Sequence, residues 1–257
     1  MQRNLSFLGE LSDEDKLLVH RLTEYIDMCS EKRVNRFTMF LNEHQRALCS
    51  KVLNAYSFED HLFYGGYEGA VRTMCGLFAP GCEAERNEFP IGAVSFSFRG
   101  SDKLTHRDFL GCIMSLGITR GSVGDIVVSS GKAVVFATEL AAGLIKDISK
   151  VGRVGVRSAQ GFDESDIPEQ KFSEIKASVA STRFDCIVSA ATRLPREKAS
   201  ALIKRGLAEL NYMTSPADKK LEEGDVFTVR GHGKYYLGSI GEPSKKDRLH
   251  IIIRKYL

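Results

Sequence analysis

The sequence predicts an α+β protein in three parts: a mostly helical N-terminal domain, a central βαββαβ domain, and a C-terminal module built on a short basic helix pair. Three observations predict it. Apolar residues recur every three to four positions near the start, short β-rich runs alternate with helical stretches through the middle, and the charge balance turns over toward the end. Residues 180–257 hold 15 Lys and Arg against 9 Asp and Glu, whereas the preceding 179 residues hold 21 against 24. A basic end on a mildly acidic body is the distribution expected of a polyanion-binding module. A hydrophobic share of 43% and a charged share of 27% exclude a disordered or collagen-like chain. No run reaches the roughly 18–20 apolar residues that span a bilayer.

Residues 1–85 form the first part. The opening MQRNLSFLGELSDEDK has no apolar stretch of signal length, so a cytoplasmic location is expected. Leu17, Leu18, Leu22, Tyr25 and Ile26 predict one helical stripe over 13–32. Asn42 and Gln45 have capping-box spacing ahead of a second helix carrying Ala47, Leu48, Val52 and Leu53. His61–Tyr64 reads as a short strand before Gly65-Gly66, and Ala70, Val71, Met74 and Leu77 have helical spacing. The six cysteines sit singly among apolar neighbours with no C-x-x-C, which predicts core residues rather than disulfides or zinc ligands.

Residues 86–158 form the second part. Ile91–Arg99 is a strand; Thr105–Leu116 is a helix with Thr105 and Asp108 at capping-box positions. Gly124–Ser129 and Lys132–Thr138 form a hairpin through Ser130-Gly131; Glu139–Ile148 is a helix and Val151–Val156 the last strand. That order is the ferredoxin-like, RRM-like one. Phe96, Phe98 and Phe136 alternate toward a core, and the aromatic motif by which RRM sheets stack bases is absent. Residues 159–170 are acidic with Gly161 and Pro168 and read as a linker.

The basic module spans 171–257. Phe184, Ile187, Val188 and Ala191 share one helix face; Leu194-Pro195 breaks that helix, and a second runs from Arg196 to Arg205 and stops at Gly206. Ala199, Leu202 and Ile203 fall in one arc, while Arg196, Ser200 and Lys204 form a row on the other side, with Lys198 and Arg205 beyond Ala201. Cations on a rigid helix can follow a run of phosphates, although a basic helix can equally be a solvated surface. Leu207–Leu210, Lys220-Leu221 and Val226–Arg230 read as short strands around turns at Asn211 and Gly224-Asp225.

The stretch Arg183-Phe184-Asp185, Arg196…Ala199…Leu202-Ile203…Gly206, Leu210-Asn211, Gly224-Asp225 and Val229-Arg230-Gly231 closely resembles the S4 RNA-binding domain family over about 50 residues. Pro195 stands where the family usually has a capping Ser, and Ala208 where a Val is usual. Phe63-Tyr64-Gly65-Gly66-Tyr67, Thr105–Gly111, Leu116–Arg120 and Gly124-Asp125-Ile126 resemble segments of the YlmH-type proteins, and that resemblance covers most of the chain. It implies a non-enzymatic, ribosome-associated RNA-binding protein. Its partners would be ribosomal RNA and peptidyl-tRNA on the large subunit during rescue of stalled translation, with division or quality-control proteins alongside. It implies an N-terminal domain, a central RRM-like domain and a C-terminal S4 domain of the αL-motif type.

The candidate RNA contacts are Arg183, Arg193, Arg196, Lys198, Ser200, Lys204 and Arg205, joined by Arg230 and Lys234 near a hairpin where Tyr235 and Tyr236 could stack. Arg107, Arg120 and the Lys245–Arg248 turn are further cations. No catalytic residue, metal or cofactor is expected. Phosphate-loop, nucleophile-elbow and dinucleotide motifs are absent, and Ser173–Lys176 spells S-x-x-K without its companion motifs. His20-Arg21-Leu22 is followed by Thr23 rather than the Asp a pseudouridine synthase needs. Two alternatives stay open: an RNA-modifying enzyme with its catalytic site in the first 158 residues, and a cell-division adaptor.

Overall fold

The computed structural model describes Leu5, Leu8 and residues 10–168, 170–243 and 248–257, and mixes helix and sheet. The chain divides into two compact units, residues 1–168 and 169–257.

The first unit opens with α1 (Asp13–Lys32), capped by Ser12, whose side chain accepts from the Asp15 amide. Its buried stripe is Val19, Leu22, Ile26 and Cys29, rotated from the expected one, so that Leu17 is 56% exposed. After β1 (Arg36–Phe37), α2 (Glu43–Tyr56) begins with the expected Asn42–Gln45 capping box. β2 (His61–Tyr64) and β3 (Met74–Leu77) complete an antiparallel sheet in the order β1-β3-β2. The helix expected over 70–77 is therefore absent, and its second half, Met74–Leu77, is a strand. β3 is central and buried at all four residues, and a short run buried on both faces has no alternation to tell it from a helix.

β4 (Ile91–Ser97), α3 (His106–Ser115), β5 (Val123–Ser129), β6 (Lys132–Thr138) and α4 (Glu139–Ile145) follow as the patterns predict, and the Thr105–Asp108 capping box is present. The last strand differs. Gly152, at φ 59°, turns β7 (Lys150–Val151) back onto β8 (Val154–Gly155), and β9 (Arg157–Gln160) pairs with β4. The sheet order is β5-β6-β4-β9, all antiparallel. The start of the expected linker thus belongs to this unit. Phe162 packs edge-on to Phe136, and Lys132 Nζ lies 2.5 Å from Asp166.

Val94, Phe96 and Val135 face the helices, in one core with Phe109, Ile113 and Ile145. Phe136 points to the other face, where Tyr67 stacks on it at 4.8 Å between centroids. Gly66 makes this possible: it sits at φ 102°, and a Cβ there would lie 2.4 Å from the Phe136 ring. Asp125 ties the same segment down. Its carboxylate accepts from Tyr67 OH (2.9 Å) and from the amides of Val71 (2.7 Å) and Arg72 (3.1 Å). The Arg72 guanidinium in turn donates to Val123 O and Phe40 O. These bonds explain why residues 1–85 and 86–158 share one unit.

The second unit is a five-stranded antiparallel sheet beside two helices. In chain order come β10 (Phe172–Val179), α5 (Phe184–Thr192), α6 (Arg196–Lys204), β11 (Ala208–Leu210), β12 (Val226–Val229), β13 (Gly233–Pro243) and β14 (Leu249–Tyr256). The sheet order is β10-β14-β13-β12-β11. Both helix stripes join a core with Phe227, Leu237, Ile251 and Ile253. Three cysteines, Cys29, Cys49 and Cys75, are buried as core residues, whereas Cys82 is exposed.

Because Asp125 holds three donors, Asp125→Ala should destabilise the first unit by about 2–4 kcal/mol. Urea unfolding of the full chain measures it, and a loss below about 0.5 kcal/mol, the scale of an ordinary surface change, would contradict this role.

Candidate nucleic-acid interface

α5 ends at Arg193, which adopts the left-handed conformation (φ 59°) and turns the chain toward α6. Pro195 occupies the N-cap of α6 and has no side-chain hydrogen bond to offer, as the missing Ser implied. Gly206, at φ 66°, ends the helix where the sequence placed its stop.

Asp185 lies between the two helices, its side chain only 6% exposed. Arg183 Nε and Nη2 reach its two oxygens at 3.2 Å each. Arg196 Nε and Nη2 reach Oδ2 at 3.1 and 2.9 Å. Burial pushes the Asp185 carboxyl up, but the hydrogen bonds from Arg183, Arg196 and Cys186, with the Arg196 charge, outweigh it and hold the group below the usual carboxylate value. Two of the predicted RNA contacts thus have an intramolecular partner. Both side chains nevertheless keep exposed surface, 39% for Arg183 and 55% for Arg196. Asp185 alone offsets only one of the two arginine charges, and Glu197 in the first turn of α6 is a further carboxylate at this end.

The other predicted cations divide. Arg193, Lys198, Lys204 and Arg205 are exposed, and no hydrogen bond or ion pair engages their side chains among the described residues. Ser200 is half-buried between Arg196 and Lys204, and these three border an open depression of 560 Å³ that Asp185 and Glu197 also line. Arg230 is exposed on the turn after β12. Lys234 is half-buried with its ammonium 4.6 Å from the Tyr256 ring centroid and 5.1 Å from that of Tyr212, so its charge is already engaged by aromatic faces. Tyr235 is a core residue stacked on Phe227, and Tyr236 OH accepts from Arg254, so neither ring is a free stacking platform. Lys245, Lys246 and Asp247 lie outside the described residues. Of the central cations, Arg107 is exposed, whereas Arg120 is half-buried and donates to Val123 O.

Sequence reasoning read Asp185 only as part of a family motif. The signal that could have found its role was an Asp on the apolar face of α5, at a position where a carboxylate needs cationic partners. Among the described residues no three His, Cys, Asp or Glu gather as a metal site, and no helix is long and apolar enough to cross a membrane.

Residues 87–162 match the family model described as "Putative RNA-binding domain in YlmH". Along 94% of the chain, and 95% of the relative, it is 26% identical to the ribosome-associated protein quality control protein P2 of Bacillus subtilis. Residues 87–162 are thus YlmH-like. A solved structure of the cell division protein ylmH from Streptococcus pneumoniae matches this chain with a TM-score of 0.53 and 24% identity, covering 62% of this chain and 98% of that one. At that identity the likeness speaks to the fold.

The folded pKa of Asp185 lies below its unfolded value, so its pairing contributes full stability above the unfolded carboxylate range and loses it as pH falls through the folded value. Asp185→Asn should cost about 1–3 kcal/mol at neutral pH and flatten the acid limb of the stability curve. Denaturation at pH 3–7 reads both; an unchanged acid limb would contradict the clamp.

Proposed function

We propose that this protein is a non-enzymatic RNA-binding factor whose C-terminal unit, an S4-type domain, docks the α5–α6 pair onto structured RNA. The observation that carries the reading is the exposed set Arg193, Lys198, Lys204 and Arg205 on a helix pair locked by Asp185, with Arg196 and Ser200 completing the row. A stiff cationic surface of this kind contacts phosphates and releases counterions without reading bases, so shape sets the site. The likeness to a ribosome-associated quality control protein supports a ribosomal site; the proposal takes that site to be ribosomal RNA and peptidyl-tRNA on the large subunit during rescue of stalled translation, in the cytoplasm. Quality-control or division proteins would act beside it.

The first unit, with residues 87–162 as its RRM-like, ferredoxin-like part, would position this surface. RNA binding by these residues would use something other than base stacking on Phe136, since Tyr67 and Phe162 already cover that ring.

Lys204→Ala with Arg205→Ala leaves both Asp185 partners in place. The pair should abolish most ribosome cosedimentation at moderate salt. It should also reduce the slope of log affinity against log salt by about 0.7–0.9 for each phosphate that the two side chains no longer neutralise. Unchanged binding and slope would remove α6 as the interface.

A further inference from the structure

The first unit holds a second cationic site, remote in sequence from α6. A cavity of 310 Å³ lies against α1 and the start of α2, and three arginines line it: Arg21 from α1, Arg72 from the segment before β3, and Arg120 before β5. Glu14 is the carboxylate on its wall, and it accepts from Gln45 Nε2 at 3.0 Å. The Arg21 side chain has no hydrogen bond or ion pair among the described residues. Arg72 and Arg120 are half-buried and donate only to backbone carbonyls: Arg72 to Val123, Phe40 and Arg120, and Arg120 to Val123 and Gly124. Asp125 is close by and its charge favours both guanidiniums, but its oxygens accept from Tyr67 and the Val71 and Arg72 amides, and no guanidinium among the described residues donates to it.

Partly buried guanidiniums are normally paired with a carboxylate, because carbonyl dipoles offset only part of the lost hydration. Here burial, then the neighbouring Arg120 charge, brings Arg72 down to about 10, and burial lowers Arg120 as well. The wall thus carries three cations against the Glu14 carboxylate, and the Asp125 charge behind it offsets part of the Arg72 and Arg120 charge; the cationic excess that remains suits a phosphate monoester, at about −1.5 to −2. The planar arginine fork suits phosphate oxygens. The volume is at the small end of ligand sites, about 300–1,000 Å³, which favours one nucleotide over a duplex. Leu17 and Met39 add apolar wall, and both are large hydrophobics left exposed (56% and 41%).

We infer that this cavity binds the terminal phosphate of a nucleotide, with Arg21, Arg72 and Arg120 as the phosphate ligands and Leu17 and Met39 against the nucleoside. The phosphate can come from an RNA end or from a free nucleotide.

The test uses the full chain carrying Lys204→Ala and Arg205→Ala, so that α6 contributes little RNA binding, with arginine-selective 15N labelling. The probes are hexauridylate with a 5′-phosphate, the same oligomer with a 5′-hydroxyl, and adenosine 5′-monophosphate. The 5′-phosphate oligomer should shift the Arg72 and Arg120 Nε–H signals and bind at least tenfold more tightly than its hydroxyl counterpart. Arg21→Glu should remove that advantage without lowering Tm, since Arg21 is exposed and unpaired. Adenosine monophosphate binding as tightly as the phosphorylated oligomer assigns the site to a free nucleotide; weaker binding assigns it to an RNA end. Absence of shifts with all three probes at millimolar concentration, or a phosphate advantage that survives Arg21→Glu, overturns the site. The α6 interface is read separately by cosedimentation, so either can fail alone.

Discussion

Asp185 is a buried carboxylate with two guanidiniums closed over it, and the rest of the second unit's surface chemistry depends on that arrangement. Arg183 precedes α5 and Arg196 begins α6, so one side chain adds a polar tie to the core packing of two nine-residue helices that have little intrinsic stability. With the pair rigid, Lys198, Lys204 and Arg205 project from a defined frame instead of sampling many. Rigidity matters for a phosphate surface because each long cationic side chain pays ordering entropy on binding, and a fixed backbone limits that cost to the side chains.

The same device recurs in the first unit with other chemistry. Asp125 gathers a phenol and two amides, Arg72 returns bonds to two carbonyls, and together they seat the N-terminal segment on the second face of the central sheet. In RRM-type RNA recognition that face stacks bases. Here Phe136 already has Tyr67 stacked on it and Phe162 edge-on to it, both from the same chain. Under the proposed function, RNA recognition would rest on charge and shape, as the cationic row on α6 provides.

Much of this was legible in the sequence where local chemistry decides. Capping boxes at Asn42 and Thr105, the Gly131 hairpin, the α5–α6 break at Pro195 and the stop at Gly206 each depend on one or two residues, and each lies where expected. What was not legible depends on partners distant in sequence. β3 looked helical because its burial comes from strands on both sides; the closing strand slipped to Arg157–Gln160 because Gly152 folds a small hairpin before it. At the interface, the exposed lysines followed from helical arithmetic. The engagement of Arg183 and Arg196 by Asp185, and of Lys234 by Tyr256, required knowing what packs beside them.

The central claim, that RNA is gripped by the α5–α6 surface, is tested most directly by ultraviolet crosslinking of the full chain to ribosomes, followed by mass spectrometry of the RNA-linked peptides. The account predicts linked peptides within residues 183–205. Crosslinks confined to residues 87–162, with none from the helix pair, would contradict it.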